Sequence, residues 1–194
     1  LGYGLISAEM DDQDIRGLVE GVGRSEAMPV VVDPGVIRPG EFLDQVLEHR
    51  LPNAFLPDAP QRIATDTSQK LPIRFGETVK AYEARGLGTD SLVLLPLVLA
   101  GYGRYLKGID DEGRSFEPSP DPLLGELRAI VAPLEVREGD QDFSCLRSLY
   151  SRRDVFGVDL YAGGLGERIE EMTAQLYQGP GAVRRTLHKY VWGH

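Results

Sequence analysis

Cysteine is almost missing from this chain of 194 residues: Cys145 stands alone, which excludes a disulfide within one chain and any cysteine-rich zinc site. Histidine is nearly as scarce, and His49, His188 and His194 lie too far apart to make a metal-ligand pattern. Long apolar runs are missing too. The longest, Leu92 to Gly101, contains Pro96 and falls well short of the roughly 20 residues needed to cross a bilayer. Basic residues are in the minority, 21 Lys and Arg against 30 Asp and Glu, for a net charge of −9. That balance argues against nucleic acid, which is bound by clustered cations that neutralise phosphates. It argues equally against an anionic membrane surface. Repeats, low-complexity stretches and flexible linkers are absent. What is present is a chain 42% hydrophobic, long enough to bury roughly 70% of its unfolded surface without a metal or disulfide staple. It reads as one acidic, cytoplasmic globular domain.

The chain opens Leu1-Gly2-Tyr3-Gly4-Leu5-Ile6, without an initiator Met, a basic leader or a cleavage signature. An opening inside an apolar run reads as an interior piece of a longer protein, with part of the function expected on residues outside it.

Helical spacing dominates the rest. Asp11 to Glu26 is amphipathic, with Ile15, Leu18, Val19 and Val22 on one face and Asp11 or Asp12 as its cap. Pro29 to Pro34 is the one strand-like run, short and bounded by prolines. Pro39 to Leu51, Pro72 to Arg85 and Asp90 to Leu106 follow as helices. The last of these is apolar nearly all round, the mark of a central buried helix. Asp121 to Val131, Gln141 to Tyr150, Tyr161 to Gln178 and Pro180 to Val191 complete a mainly α, multi-helical single domain over residues 1–194, with at most a little strand near residues 30–33.

Chemistry-bearing patterns are few. Asp110-Asp111-Glu112 resembles the start of a calcium loop, but Gly113 comes too early and the twelfth position carries no acid, so a solvated turn is expected. Gly163-Gly164-Leu165-Gly166 precedes a helix as a phosphate loop would, yet it lacks GxGxxG spacing, a Walker lysine and a preceding strand; a tight turn is expected. Gly101 and Gly103 suit close packing of a helix, and Cys145 suits a small core residue. One segment stands apart, Gln61 to Pro72. If helical through Lys70, it sets Arg62, Asp66 and Lys70 at i, i+4 and i+8, within about 80° of the helix circumference. Two cations with a carboxylate between them suit either the hydroxyls or carboxylate of a small polar substrate or a surface salt-bridge ladder. No His, Cys or paired acid is placed to act as a general base.

The run RLPNAFLPDAPQRIATDTSQKLPIRFGETV around that segment resembles the signature of the polyol-specific long-chain dehydrogenases, the mannitol dehydrogenases and their relatives acting on fructuronate, tagaturonate and arabinitol. Arg50, Asn53, Asp58, Arg62, Ile63, Asp66, Ser68, Lys70 and Pro72 carry the match. Colinear matches at Leu97 to Asp110, Phe116 to Leu123 and Val155 to Leu160 extend it over nearly the whole chain. The resemblance implies a multi-helical C-terminal domain of the mannitol dehydrogenase type, similar to that of 6-phosphogluconate dehydrogenase. It implies a partner, an N-terminal Rossmann domain outside this chain, that binds most of the NAD(H). It assigns Arg62 and Lys70 to the polyol or keto sugar, with Asp66 and Ser68 in support. The family's catalytic Lys, Asn and His lie in a K-x4-N-x2-H element that this sequence does not contain, and the family works without a metal. The implied activity is an NAD-dependent interconversion of polyol and keto sugar, of the mannitol/fructose or mannonate/fructuronate type, in the intact protein. The isolated chain is expected to be inactive and not to bind NAD. The other reading is a stand-alone helical binding or scaffolding module.

Overall fold

The computed structural model describes residues 5–193. Twelve helical segments surround the most apolar one: α1 (Ile6–Glu9), α2 (Gln13–Gly21), α3 (Pro39–Gln45), α4 (Pro60–Ile63), α5 (Thr67–Leu71), α6 (Glu77–Ala84), α7 (Leu94–Tyr105), α8 (Leu124–Val131), α9 (Leu146–Tyr150), α10 (Arg153–Phe156), α11 (Gly166–Leu176) and α12 (Ala182–Trp192). As the hydropathy pattern predicts, α7 is central. It packs along α11 and buries Leu94, Leu95, Leu97, Leu99, Ala100 and Tyr102. Around it close Val79 and Tyr82 of α6, Leu127 and Val131 of α8, Tyr150 of α9, Phe156 of α10 and Leu187 of α12.

Two sequence features of α7 explain its depth. At Gly103 a Cβ would stand 2.3 Å from the Tyr150 hydroxyl, so only glycine lets these elements approach. At the other end, the buried Glu26 carboxylate accepts the N–H groups of Val93 (2.7 Å), Leu94 (2.7 Å) and Leu95 (2.6 Å). These are first-turn donors that a helix cannot satisfy internally. The helix therefore begins four residues later than the sequence pattern suggests, where this carboxylate meets it.

Three helices continue into wide turns with i→i+5 bonding: α2 into Val22–Ala27, α3 into Val46–Arg50, and α5 through Pro72–Gly76 into α6. In the third, Pro72 offers no N–H to the carbonyl four residues before it, which favours a change of helical register. The wide turn is filled from outside. A Cβ on Gly76 would lie 2.1 Å from the Phe156 carbonyl oxygen, and Gly157 sits against the backbone of Pro72.

The strand expected near residues 30–33 does not form. Met28–Val30 is a single 3-10 turn and Val31 to Pro34 is irregular and exposed, because the flanking prolines deny it ladder donors and no neighbouring edge is offered. The β pairing among the described residues is one antiparallel bridge, Ile109 to Ser115. Asp110-Asp111-Glu112-Gly113 is the turn of that bridge, and it is not merely solvated as expected. The buried Asp110 carboxylate accepts the N–H of Glu112 and Arg114, and Asp111 accepts the N–H of Val183 (2.8 Å) and Arg184 (3.0 Å) at the start of α12. Gly163 to Gly166 forms a tight turn, with Gly164 in the left-handed region (φ 76°).

Candidate functional site

Residues 60–71 do not make one helix. The chain turns sharply between α4 and α5 at Asp66, whose φ of 54° makes it the one non-glycine residue in the left-handed region among those described. The alignment of Arg62, Asp66 and Lys70 along one helix face is therefore replaced by a different arrangement, and Asp66 does not bridge the two cations.

Arg62 lies exposed on α4 and pairs with Asp58, four residues before it. The Asp58 carbonyl also accepts the N–H of Ile6 (2.8 Å), so the loop that meets Arg62 is the loop that meets α1. Expectations for Leu1 to Gly4 beside this site lie outside the described residues. Exposed apolar side chains gather in the same stretch: Leu5, Phe55, Leu56 and Ile63.

Lys70 is held differently. Its side chain turns back from α5, and Nζ donates to the carbonyls of Ile63 (2.8 Å) and Thr65 (2.6 Å). In an unbroken helix those carbonyls would accept from Thr67 and Gln69; the break at Asp66 frees them, and the ammonium takes both. The two cations are thus brought to one end of α4 by the fold between them. Ser68, which the sequence placed in a supporting role, is fully buried. Its N–H and its Oγ both donate to the Asp121 carboxylate at 2.7 Å. Asp66 contributes through its backbone, its N–H donating to the Pro120 carbonyl at 2.9 Å.

A cavity of about 420 Å³ lies on the other side of α4. Pro60, Gln61 and Ala64 line it, opposite Leu97, Tyr105 and Leu187, whereas Arg62 and Lys70 do not. Arg104 reaches its wall with a guanidinium buried to 3% exposure and satisfied by the carbonyls of Leu176, Ile109 and Asp110. Burial pulls the Arg104 guanidinium down, with the Tyr177, Asp111 and Asp110 charges acting the other way. Burial likewise pushes the Tyr102, Tyr150 and Tyr177 hydroxyls well above the usual tyrosine value. None of these groups is placed to exchange protons at neutral pH. No cluster of His, Cys, Asp and Glu among the described residues could hold a metal ion. No helix among them is long and apolar enough to cross a membrane.

Sequence reasoning missed Asp121 and Ser119 at this site. Ser119 Oγ donates to the Gln61 carbonyl at 2.7 Å, completing a short strap from residue 119 to residue 121 along the whole 61–68 segment. Their partners lie more than fifty residues away, beyond any local pattern; the only trace was the colinear match at Phe116 to Leu123.

Comparison with known proteins places this geometry. The model of the mannitol dehydrogenase C-terminal domain matches residues 1–177. A D-mannonate oxidoreductase of Thermotoga maritima is 53% identical over 192 residues, 98% of this chain and 35% of the relative. A mannitol 2-dehydrogenase of Neosartorya fischeri is 28% identical over 98% of this chain and 35% of its own length. The structure of Pseudomonas fluorescens mannitol 2-dehydrogenase, a ternary complex with NAD and D-mannitol, superposes with a TM-score of 0.78 at 21% identity, covering 95% of this chain and 35% of that one. The chain spans about a third of the length of these relatives. By a match over most of its length and by its helical architecture, the chain belongs to the mannitol dehydrogenase C-terminal domain family.

Proposed function

We propose that this chain is the substrate-binding domain of an NAD(H)-dependent oxidoreductase that interconverts a polyol and a keto sugar, with the mannonate/fructuronate pair as its substrate type. The observation that carries the reading is 53% identity to a D-mannonate oxidoreductase over 98% of the chain, which includes the whole Arg62 to Lys70 segment. Arg62 and Lys70 bind the substrate. Arg62 offers a planar fork of donors suited to a carboxylate or to paired hydroxyls, and Lys70 offers a compact charge already held by two carbonyls. A side chain fixed before binding loses little freedom on binding, which favours affinity.

NAD(H) supplies the hydride chemistry, and the residues of this chain do not fit it. A pyrophosphate is cradled by a strand, a glycine turn and the N-terminus of a helix. The nearest approach here, Gly163 to Gly166 before α11, has no strand ahead of it, and the Tyr161 ring packs where a Gly166 side chain would stand. The reading therefore gives the cofactor to a second domain of the longer protein, seated against the exposed apolar residues around Arg62.

The test is kinetic, in the intact protein. Arg62→Ala and Lys70→Ala are each expected to lower kcat/KM for D-mannonate by about tenfold to a hundredfold, the usual effect of removing one charged hydrogen bond worth about 1.5–3 kcal/mol. NADH affinity is expected to stay the same. Retention of full kcat/KM by both variants would refute the assignment.

A further inference from the structure

The 119–121 strap has a role beyond packing. Building on the reading that Arg62 and Lys70 hold the substrate, we infer that Asp121 is a positioning residue for Lys70: it enforces the break at Asp66 and so sets where the ammonium stands.

Three observations on the strap converge. Ser119 Oγ grips α4 through the Gln61 carbonyl, the Pro120 carbonyl takes the Asp66 N–H, and the Asp121 carboxylate takes both donors of Ser68 at the start of α5. The strap thus holds the segment before the break, at the break and after it. Asp121 is itself anchored, since Oδ1 also accepts the N–H of Leu123 at 2.9 Å just ahead of α8.

The competing structure is evident from the sequence. Gln61 to Lys70 contains no proline or glycine, and it suits an unbroken helix. In that helix Lys70 would stand eight residues, about 12 Å, along the axis from Arg62. The carbonyls of Ile63 and Thr65 would be occupied by backbone N–H groups, and the lysine would swing free in solvent. A left-handed aspartate is disfavoured, so the break persists only where its surroundings insist on it. The Asp121 carboxylate provides that insistence: it offers Ser68 two acceptors at once, one for the N–H that an unbroken helix would bond internally. Asp121 need not touch substrate; its effect passes through the position of Lys70.

In the intact enzyme, Asp121→Ala is expected to raise KM for D-mannonate at least tenfold, to change kcat by less than threefold, and to leave the NADH dissociation constant within twofold of its starting value. Asp121→Asn keeps one acceptor oxygen and turns an amide toward Ser68, so a smaller rise in KM is expected; this variant serves if the alanine variant does not fold. The decisive readout is coupling. On a Lys70→Ala background, adding Asp121→Ala or Asp121→Asn is expected to lower kcat/KM by less than twofold further, because the residue it positions is already gone. Losses that simply multiply would assign Asp121 a merely structural role and overturn the inference. So would an unchanged KM in both Asp121 variants while Lys70→Ala alone is impaired, an outcome that leaves the substrate reading standing. If Lys70→Ala and Arg62→Ala are both fully active, the substrate reading has failed, and this inference with it.

Discussion

Removing the Glu26 carboxylate should cost more stability than any change of similar size on the surface. Glu26 is 4% exposed and accepts three N–H groups at the first turn of α7. Glu26→Gln keeps the shape of the side chain. Its carbonyl oxygen can still serve Val93 and Leu94, but its amide then faces the Leu95 N–H, leaving one buried donor unpaired at a cost of about 1–3 kcal/mol. Loss of the charge at the positive end of the helix adds about 0.5–2 kcal/mol. Part of this is returned because a neutral amide is cheaper to bury than a carboxylate. A net loss of about 2–4 kcal/mol follows. Glu26→Ala orphans all three donors and should cost at least as much. Urea unfolding at pH 7 reads the difference directly, and thermal melting should fall by about 2–4 °C for each kcal/mol in a domain of this size. A Glu26→Gln variant within 0.5 kcal/mol of the parent would show that α7 does not depend on this cap, and the account of its late start would fail.

Two further outcomes follow from the packing and the ion pairs. Gly103→Ala should destabilise by about 1–3 kcal/mol, because its methyl would stand 2.3 Å from the fully buried Tyr150 hydroxyl; differential scanning calorimetry measures it, and an unchanged Tm would contradict the contact. Asp14 binds His188 Nδ1, Trp192 Nε1 and Arg184 of α12, bonds that hold its carboxyl below the usual carboxylate range, as Arg184 chiefly does for Asp12. A carboxylate depressed on folding stabilises above its unfolded pKa of about 3.8, and that stability is lost as pH falls through the lower folded value. Emission of Trp192, the one tryptophan, should therefore change below about pH 4 in the parent, and Asp14→Asn should show the altered emission already at pH 7. A flat pH profile in the parent would refute the coupling.

The readings that held rest on local signals, and those that failed were decided at long range. The central place of α7 follows from Leu94 to Leu99 being apolar on every side, a property of contiguous residues. The helices at residues 13–21, 39–45 and 182–192 carry their own caps or prolines. By contrast, nothing between Gln61 and Lys70 announces a break at Asp66; the strap that imposes it arrives from residues 119–121. Asp110 and Asp111 look like a solvated acidic turn because the donors they serve include α12, seventy residues on. Glu26 is similar: an ordinary helical glutamate until the start of α7 comes to meet it. At the candidate site, the sequence could name Arg62 and Lys70 through a motif, but not the folding-back that brings the lysine ammonium to the end of α4.

The wide turn at Pro72–Gly76 changes what an insertion or deletion would mean here. Each residue of an α-helix advances the screw by about 100°. The extra residue in that turn sets the angular phase between the Ser68 end, which faces Asp121, and the Val79–Tyr82 end, which faces the core. Deleting one residue in an exposed loop merely shortens a path. Deleting one here would restore an ordinary helix and twist its two ends against each other by about 100°, so that either the serine leaves its carboxylate or the tyrosine leaves the interior. The turn acts as a gear between the core and the substrate-facing segment, and lineages of this domain should keep its length while varying its side chains.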